Sequence, residues 1–152
     1  MKMLRILLSL VLALLVSACA TMRPTMSYVA TGLAPSEVTV LVSDTVSHLA
    51  TPLPPAKSTL VLDPPANRSA DVLTPTLLSA LRAAGYGVIE ADQQTGPKSA
   101  EGTLVRYLVS PLENGVLLRL QYLGTEATRF YTRTADGGMV ASGPFIVRET
   151  GQ

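Results

Sequence analysis

The feature that most limits what this chain can fold into is a change of hydrophobic period at Gly102. Before it, apolar side chains recur at helical spacing; after it they alternate one by one, and glycine-bearing turns cut the alternation into returning strands. Leu104, Arg106 and Leu108 alternate with Val105, Tyr107 and Val109. Val116, Leu118, Leu120 and Tyr122 then face one way, and Leu117, Arg119, Gln121 and Leu123 the other. Between these runs Glu113-Asn114-Gly115 carries the Asn-Gly signal of a tight hairpin. A further strand over 128–134, with Arg129, Tyr131 and Arg133 on one face, turns at Ala135-Asp136-Gly137-Gly138 and returns over 139–148, where Gly143-Pro144 marks a bulge or an edge.

Upstream, Pro35 suits a first helical position and Glu37 the first turn, where the helix dipole favours an anion. Val38, Val42, Val46 and Leu49, with Leu41 and Thr45 beside them, form the apolar stripe of an amphipathic helix over 35–50, while Glu37, Ser43, Asp44 and Ser47 lie elsewhere. Pro52, Pro54 and Pro55 end it in a stiff elbow. Thr59–Leu62 reads as a strand and 63–68 as a loop. Ser69 is placed to cap a second helix with Asp71 in its first turn; alternatively Thr74 caps it and Pro75 takes the first helical position. Leu73, Leu77, Leu81 and Ala84 form its face and Gly85 its stop. A strand over 86–91 and a turn region over 92–98 complete the order. The expected class is α+β: an amphipathic helix and elbow (35–57), then a β-α-β unit and antiparallel strands (58–149) forming one sheet with its helices on one face.

The chain opens with Lys2 and Arg5 ahead of an apolar run from Ile6 to Val16, the pattern of a secretory signal peptide over residues 1–18. Val16, Ser17 and Ala18 before the single cysteine, Cys19, resemble the bacterial lipobox, and that resemblance implies diacylation of Cys19 and cleavage before it. Sulfur is the side-chain nucleophile suited to accept a lipid, and several acyl chains hold firmly where one does not. Ala20 and Thr21, rather than an aspartate, follow the cysteine, which in such lipoproteins points to the outer membrane and its periplasmic face. Residues 19–34 read as a lipidated flexible tether. Within it Met22, Met26, Tyr28 and Val29 are more apolar than a spacer requires, so the segment either tolerates them or docks them on a neighbouring protein.

Twelve Lys and Arg stand against eleven Asp and Glu. Removing Lys2 and Arg5 with the signal leaves a nearly neutral body, with no basic surplus for nucleic acid. A lone cysteine allows no internal disulfide. No G-x-S-x-G, phosphate-cradling loop or H-E-x-x-H occurs, so no catalytic residue, metal site, cofactor beyond the lipid on Cys19, or small-molecule substrate is expected. The single histidine, His48, is expected at a surface or interface with no proton-transfer role. The carboxylates fall mostly at turns and element ends. Arg119, Arg129 and Arg133 sit on adjacent expected strands, either as a solvated face balanced by glutamates or as one basic stripe that docks an acidic partner.

Ser43-Asp44-Thr45-Val46, Leu53-Pro54-Pro55-Ala56, the Thr59–Leu62 strand, LLSALRAAGY over 77–86, Gly102-Thr103-Leu104 and FYTRTADGGMVASGPFIVRE over 130–149 together resemble TrbH, the lipoprotein of Trb-type conjugal transfer systems. The resemblance covers most of the chain. It implies a non-enzymatic component of a type IV secretion apparatus for plasmid transfer, partnered by the outer-membrane core protein and by the bilayer through Cys19. The other function compatible with the residues is a general envelope-binding lipoprotein outside conjugation.

Overall fold

The computed structural model describes residues 27–98 and 100–150. The expected signal peptide, Cys19, the Val16-Ser17-Ala18 motif, Met22 and Met26 lie outside these. The elements are β1 (Tyr28–Val29), α1 (Pro35–Leu49), β2 (Thr59–Leu62), α2 (Leu73–Ala83), β3 (Gly87–Glu90), β4 (Thr103–Leu112), β5 (Gly115–Tyr122), β6 (Thr125–Arg133), β7 (Met139–Ala141) and β8 (Ile146–Glu149). The fold is α+β, with one mixed sheet in the order β3-β2-β4-β5-β6-β7, β1 also pairing β4 and β8 also pairing β6.

The long strand β4 organises the sheet. Its first half takes β2 as parallel neighbour, Leu60 to Leu62 against Thr103 to Val105. Its second half takes β1 on the same side, Tyr28 against Leu108 and Val29 against Val109. Residues 27–34 are therefore part of the body rather than tether: Ser27 Oγ accepts the Tyr107 amide at 3.0 Å, and Val29, Ala30 and Leu33 are buried. Burial overrode the small, turn-rich composition, because a two-residue strand needs only an open edge to pair with.

α1 begins at Pro35, and Glu37 Oε2 accepts the Ala34 amide at 2.9 Å, so a side chain of the first turn satisfies the entry of the helix. Val38, Leu41, Val42, Thr45 and Leu49 are buried as the stripe requires, and so is Glu37. α2 begins at Leu73; neither expected serine nor threonine cap is used. Asp71 Oδ1 accepts the Leu73 and Thr74 amides at 3.1 and 3.0 Å, while Ser69 Oγ donates to Asn67. Pro75 then falls inside the first turn, where its missing N–H costs no helical bond.

The hairpins follow the alternation with two adjustments. Leu112 pairs with Gly115, so the β4–β5 turn is Glu113-Asn114 and Gly115 belongs to the strand. A Cβ there would collide with the Tyr131 carbonyl oxygen and the Phe130 ring, so this glycine serves packing rather than the turn. The β5–β6 turn, not expected from the sequence, is Leu123-Gly124 with φ of 47° and 68°, the pair of left-handed residues a two-residue hairpin wants. β7 and β8 both pair β6 and are parted by Gly143-Pro144, as expected of a bulge.

Both helices cover one face of the sheet. Leu60, Leu62, Val105, Tyr107, Val109, Leu118, Leu120 and Tyr131 point into the same core as Leu41, Leu49, Leu77 and Leu81. The opposite face carries the alternate residues of each strand. Among the described residues no helix is long and apolar enough to cross a membrane.

Candidate functional site

Two polar assemblies stand out, one between α1 and the sheet and one on the sheet's helix-free face. The first grows from a line of side chains on α1. Glu37, Asp44 and His48 are spaced seven and four apart, which at 3.6 residues per turn places them in one row beside the apolar stripe. Facing them are Arg129, Tyr131 and Arg133, alternate residues of β6. Seven residues of helix advance about 10 Å and four of strand about 13 Å, so the two rows keep step.

Arg133 Nε donates to Glu37 Oε1 at 2.6 Å, and Arg129 Nη1 donates to Asp44 Oδ2 at 2.9 Å. The same Asp44 oxygen accepts the Tyr131 hydroxyl at 2.9 Å. Arg129 Nε also donates to the Gly143 carbonyl at 2.7 Å, so this one guanidinium ties α1 to the break between β7 and β8. His48 Nε2 and the Tyr122 hydroxyl share a hydrogen bond of 2.8 Å, and the imidazole packs on Phe145 with centroids 4.2 Å apart.

The electrostatics follow from these contacts. The hydrogen bond from Arg133 holds the Glu37 carboxyl below its ordinary range, against the opposing pull of burial. Burial pushes the Tyr131 hydroxyl up, and its bond to Asp44 pushes it further. Burial, with the Arg129 charge, lowers the His48 imidazole. The row fastens a helix to a sheet: each carboxylate is matched to a cation, and Tyr131 keeps its proton to donate it.

The second assembly lies on the other face. Asp63, fully buried, accepts Arg106 Nε at 3.0 Å. Glu126, 7 % exposed, accepts Arg148 Nε at 3.0 Å and Nη2 at 2.5 Å, with Arg119 Nε 3.6 Å away. These bonds, that from Arg148 first, lower the Glu126 carboxyl. At one end of this face a cleft of about 640 Å³ is walled by Lys98, Arg106, Gln121 and Thr150.

Of the two arrangements weighed for Arg119, Arg129 and Arg133, the single basic stripe does not form. Arg119 pairs in register with Thr128 and Arg129 with Leu118, so Arg119 is on the open face while Arg129 and Arg133 are under α1. The hairpin turn Leu123-Gly124, unseen in the sequence, sets that register. Of the apolar residues expected to dock a neighbour, Val29 is in the core and Tyr28 is half exposed on the open face. Sequence reasoning passed over Glu37, Asp44 and His48 as a row, although their spacing was the signal; it had no means to pair Arg106 with Asp63 or Arg148 with Glu126, which are distant in the chain. Among the described residues no group of three or more His, Cys, Asp or Glu could hold a metal ion.

A family model described as "Conjugal transfer protein TrbH" matches residues 21–150. No curated protein and no solved structure matches the chain.

Proposed function

The chain belongs to the TrbH family of conjugal transfer proteins, and from that premise we propose that it is a structural, non-enzymatic lipoprotein of the mating apparatus, anchored by acyl chains on Cys19 at the periplasmic face of the outer membrane and decorating the core complex there. Three things support this reading. Val16-Ser17-Ala18-Cys19 has the form of an acylation signal. Glu37 and Asp44 are spent in pairs that hold α1 to the sheet, and Asp63 and Glu126 in pairs on the open sheet face, which suits a scaffold. The observation that carries the proposal is that Ser27, bonded to the Tyr107 amide, is already part of the body: it is eight residues after Cys19, and eight extended residues reach at most about 29 Å. On a lipid anchor, the body stands beside the bilayer and meets whatever ring of protein is assembled there.

The test is Cys19→Ser in donor cells. Loss of metabolic labelling with a fatty acid, release of the protein from the membrane fraction and a sharp fall in plasmid transfer are expected. Unchanged transfer by a chain that no longer takes up lipid would refute the anchoring role, and unchanged transfer on deleting the whole chain would refute the role in mating.

A further inference from the structure

The helix-free face of the sheet is charged in layers. Its two carboxylates lie underneath, Asp63 at 0 % and Glu126 at 7 % exposed, whereas Arg106, Arg119 and Arg148 stand above them at 24 %, 37 % and 68 %. Three cations over two carboxylates leave a surplus of one positive charge, and what meets solvent is guanidinium. Arg119 and Arg148 share the one carboxylate of Glu126; Arg148 takes the short bonds, and Arg119 Nε makes no hydrogen bond. Between and beside these arginines the same face exposes Tyr28 at 51 %, Val140 at 54 % and Ile146 at 71 %. Register places all three on this side, opposite Leu108, Thr132 and Thr128.

Charge decides among the occupants such a face could take. A second copy packed across a two-fold axis would set Arg119 and Arg148 against their own equivalents, and like charges across an interface cost affinity. An anionic bilayer surface is read by clusters of four to eight basic residues; three arginines already engaged with two carboxylates fall short of that. A protein surface with carboxylates set among aliphatic side chains complements both the exposed guanidiniums and the aliphatic residues beside them.

Resting on the role in the mating apparatus proposed above, we infer that the helix-free sheet face is the docking surface for an acidic protein partner, with Arg119 and Arg148 as its charge-reading residues. Arg129 and Arg133 lie on the opposite face, tied to Asp44 and Glu37 of α1, and take no part.

The experiment uses the full-length chain in donor cells carrying the complete transfer system. A photoreactive amino acid replaces Thr128, which lies on the open face opposite Arg119, or Ser43, on the outer side of α1. Irradiation is repeated in the variant R119Q/R148Q/E126Q, which removes both arginines and the carboxylate they share and so leaves no buried charge stranded. Should that variant fail to accumulate, R148Q alone serves, since its side chain is the most exposed of the three. The expected result is an adduct from position 128, absent from position 43, with another transfer protein through a segment rich in Asp or Glu. Its yield should drop about tenfold in the variant, with plasmid transfer falling alongside and membrane attachment unchanged. Adducts from position 128 with a second copy or with lipid only, or adducts from position 43 only, would overturn the inference. So would full adduct yield in a folded variant. The broader role fails separately: it fails if deleting the chain leaves transfer intact, whereas a transfer-deficient deletion with a fully active folded variant sinks only the docking face.

Discussion

Breaking the Glu37–Arg133 pair from its two ends should give unequal results. Glu37 is 5 % exposed and Arg133 is 40 % exposed, so one partner is buried and the other reaches water. In Glu37→Gln the amide keeps the shape and still accepts the Ala34 N–H. What is lost is the charge, the difference between a charge-assisted and a neutral hydrogen bond, about 1 kcal/mol, and Arg133 turns to solvent. In Arg133→Gln the carboxylate stays buried with little beyond the Ala34 amide for company. Removing one member of a buried pair costs about 3–5 kcal/mol, and the lower end applies at this sheet margin. A gap of about 2 kcal/mol corresponds to a melting temperature lower by about 6–10 °C in Arg133→Gln than in Glu37→Gln for a domain of this size. The pH dependence separates them further. In the wild type the depressed Glu37 carboxyl contributes stability above the ordinary value of 4.5 that is lost as pH falls through its own lower value. Without Arg133, burial outweighs the Ala34 bond, the carboxyl rises above 4.5, and its penalty is lifted as pH is lowered from 7 toward 4.5. Thermal unfolding followed by circular dichroism, on mature chain carrying Cys19→Ser, measures all of this. If Arg133→Gln is no less stable than Glu37→Gln at pH 7, or its deficit does not shrink on acidification, the pair is not the asymmetric buried contact described.

His48 supplies a second pH test. Its imidazole is lowered by burial against Phe145 and Tyr122 and by the Arg129 charge, so the unfolded chain binds the proton more readily and stability should fall as pH drops below about 6.5. His48→Gln should flatten the melting temperature between pH 7 and pH 5; an unaltered slope would remove His48 from the account. Two hairpin glycines, Gly115 at the start of β5 and Gly124 in the turn after it, offer a contrast of mechanism. Gly115→Ala must displace Tyr131 backbone or the Phe130 ring and should cost about 3 kcal/mol. Gly124→Ala meets nothing within 4 Å and has only its φ of 68° to bear, about 1 kcal/mol. Equal denaturant midpoints for the two would contradict the packing assigned to Gly115.

What the sequence disclosed was local. Alternation after Gly102 and helical spacing before it were enough for the class, both helices and the split final strand, because burial on one face writes its period directly into the chain. The failures share one cause: the deciding partner was remote. Ser27 to Leu33 looked like spacer because their sheet neighbour is β4, some eighty residues on. The three arginines looked like one stripe because sharing a face across strands depends on register, here fixed by Leu123-Gly124, a turn with a leucine in a left-handed position that no composition rule favours. The charged sites were visible as residues and invisible as pairs. Spacing showed that Arg129 and Arg133 share a face, but only the packing of α1 shows that this face is covered.

The ordering of residues 27–34 also bears on where a partner can stand. A fifteen-residue leash would let the body sample a hemisphere; one of eight residues reaches at most about 29 Å, comparable to the diameter of a domain whose radius of gyration is about 14 Å. On the proposed anchor, the body cannot move far from the bilayer, so its docking face gains effective concentration only toward proteins assembled at that same membrane. Lengthening the leash tests this while leaving the sequence of residues 27–150 unchanged. Inserting twelve Gly and Ser residues between Met22 and Arg23 would extend the reach by roughly 40 Å while leaving Cys19 and the body as they are. Transfer should fall because the same face is now diluted over a larger volume, and position-128 adducts should fall in proportion. Undiminished transfer with undiminished adducts would mean that the partner holds the body without help from the membrane, and that the closeness of Ser27 to Cys19 has no bearing on assembly.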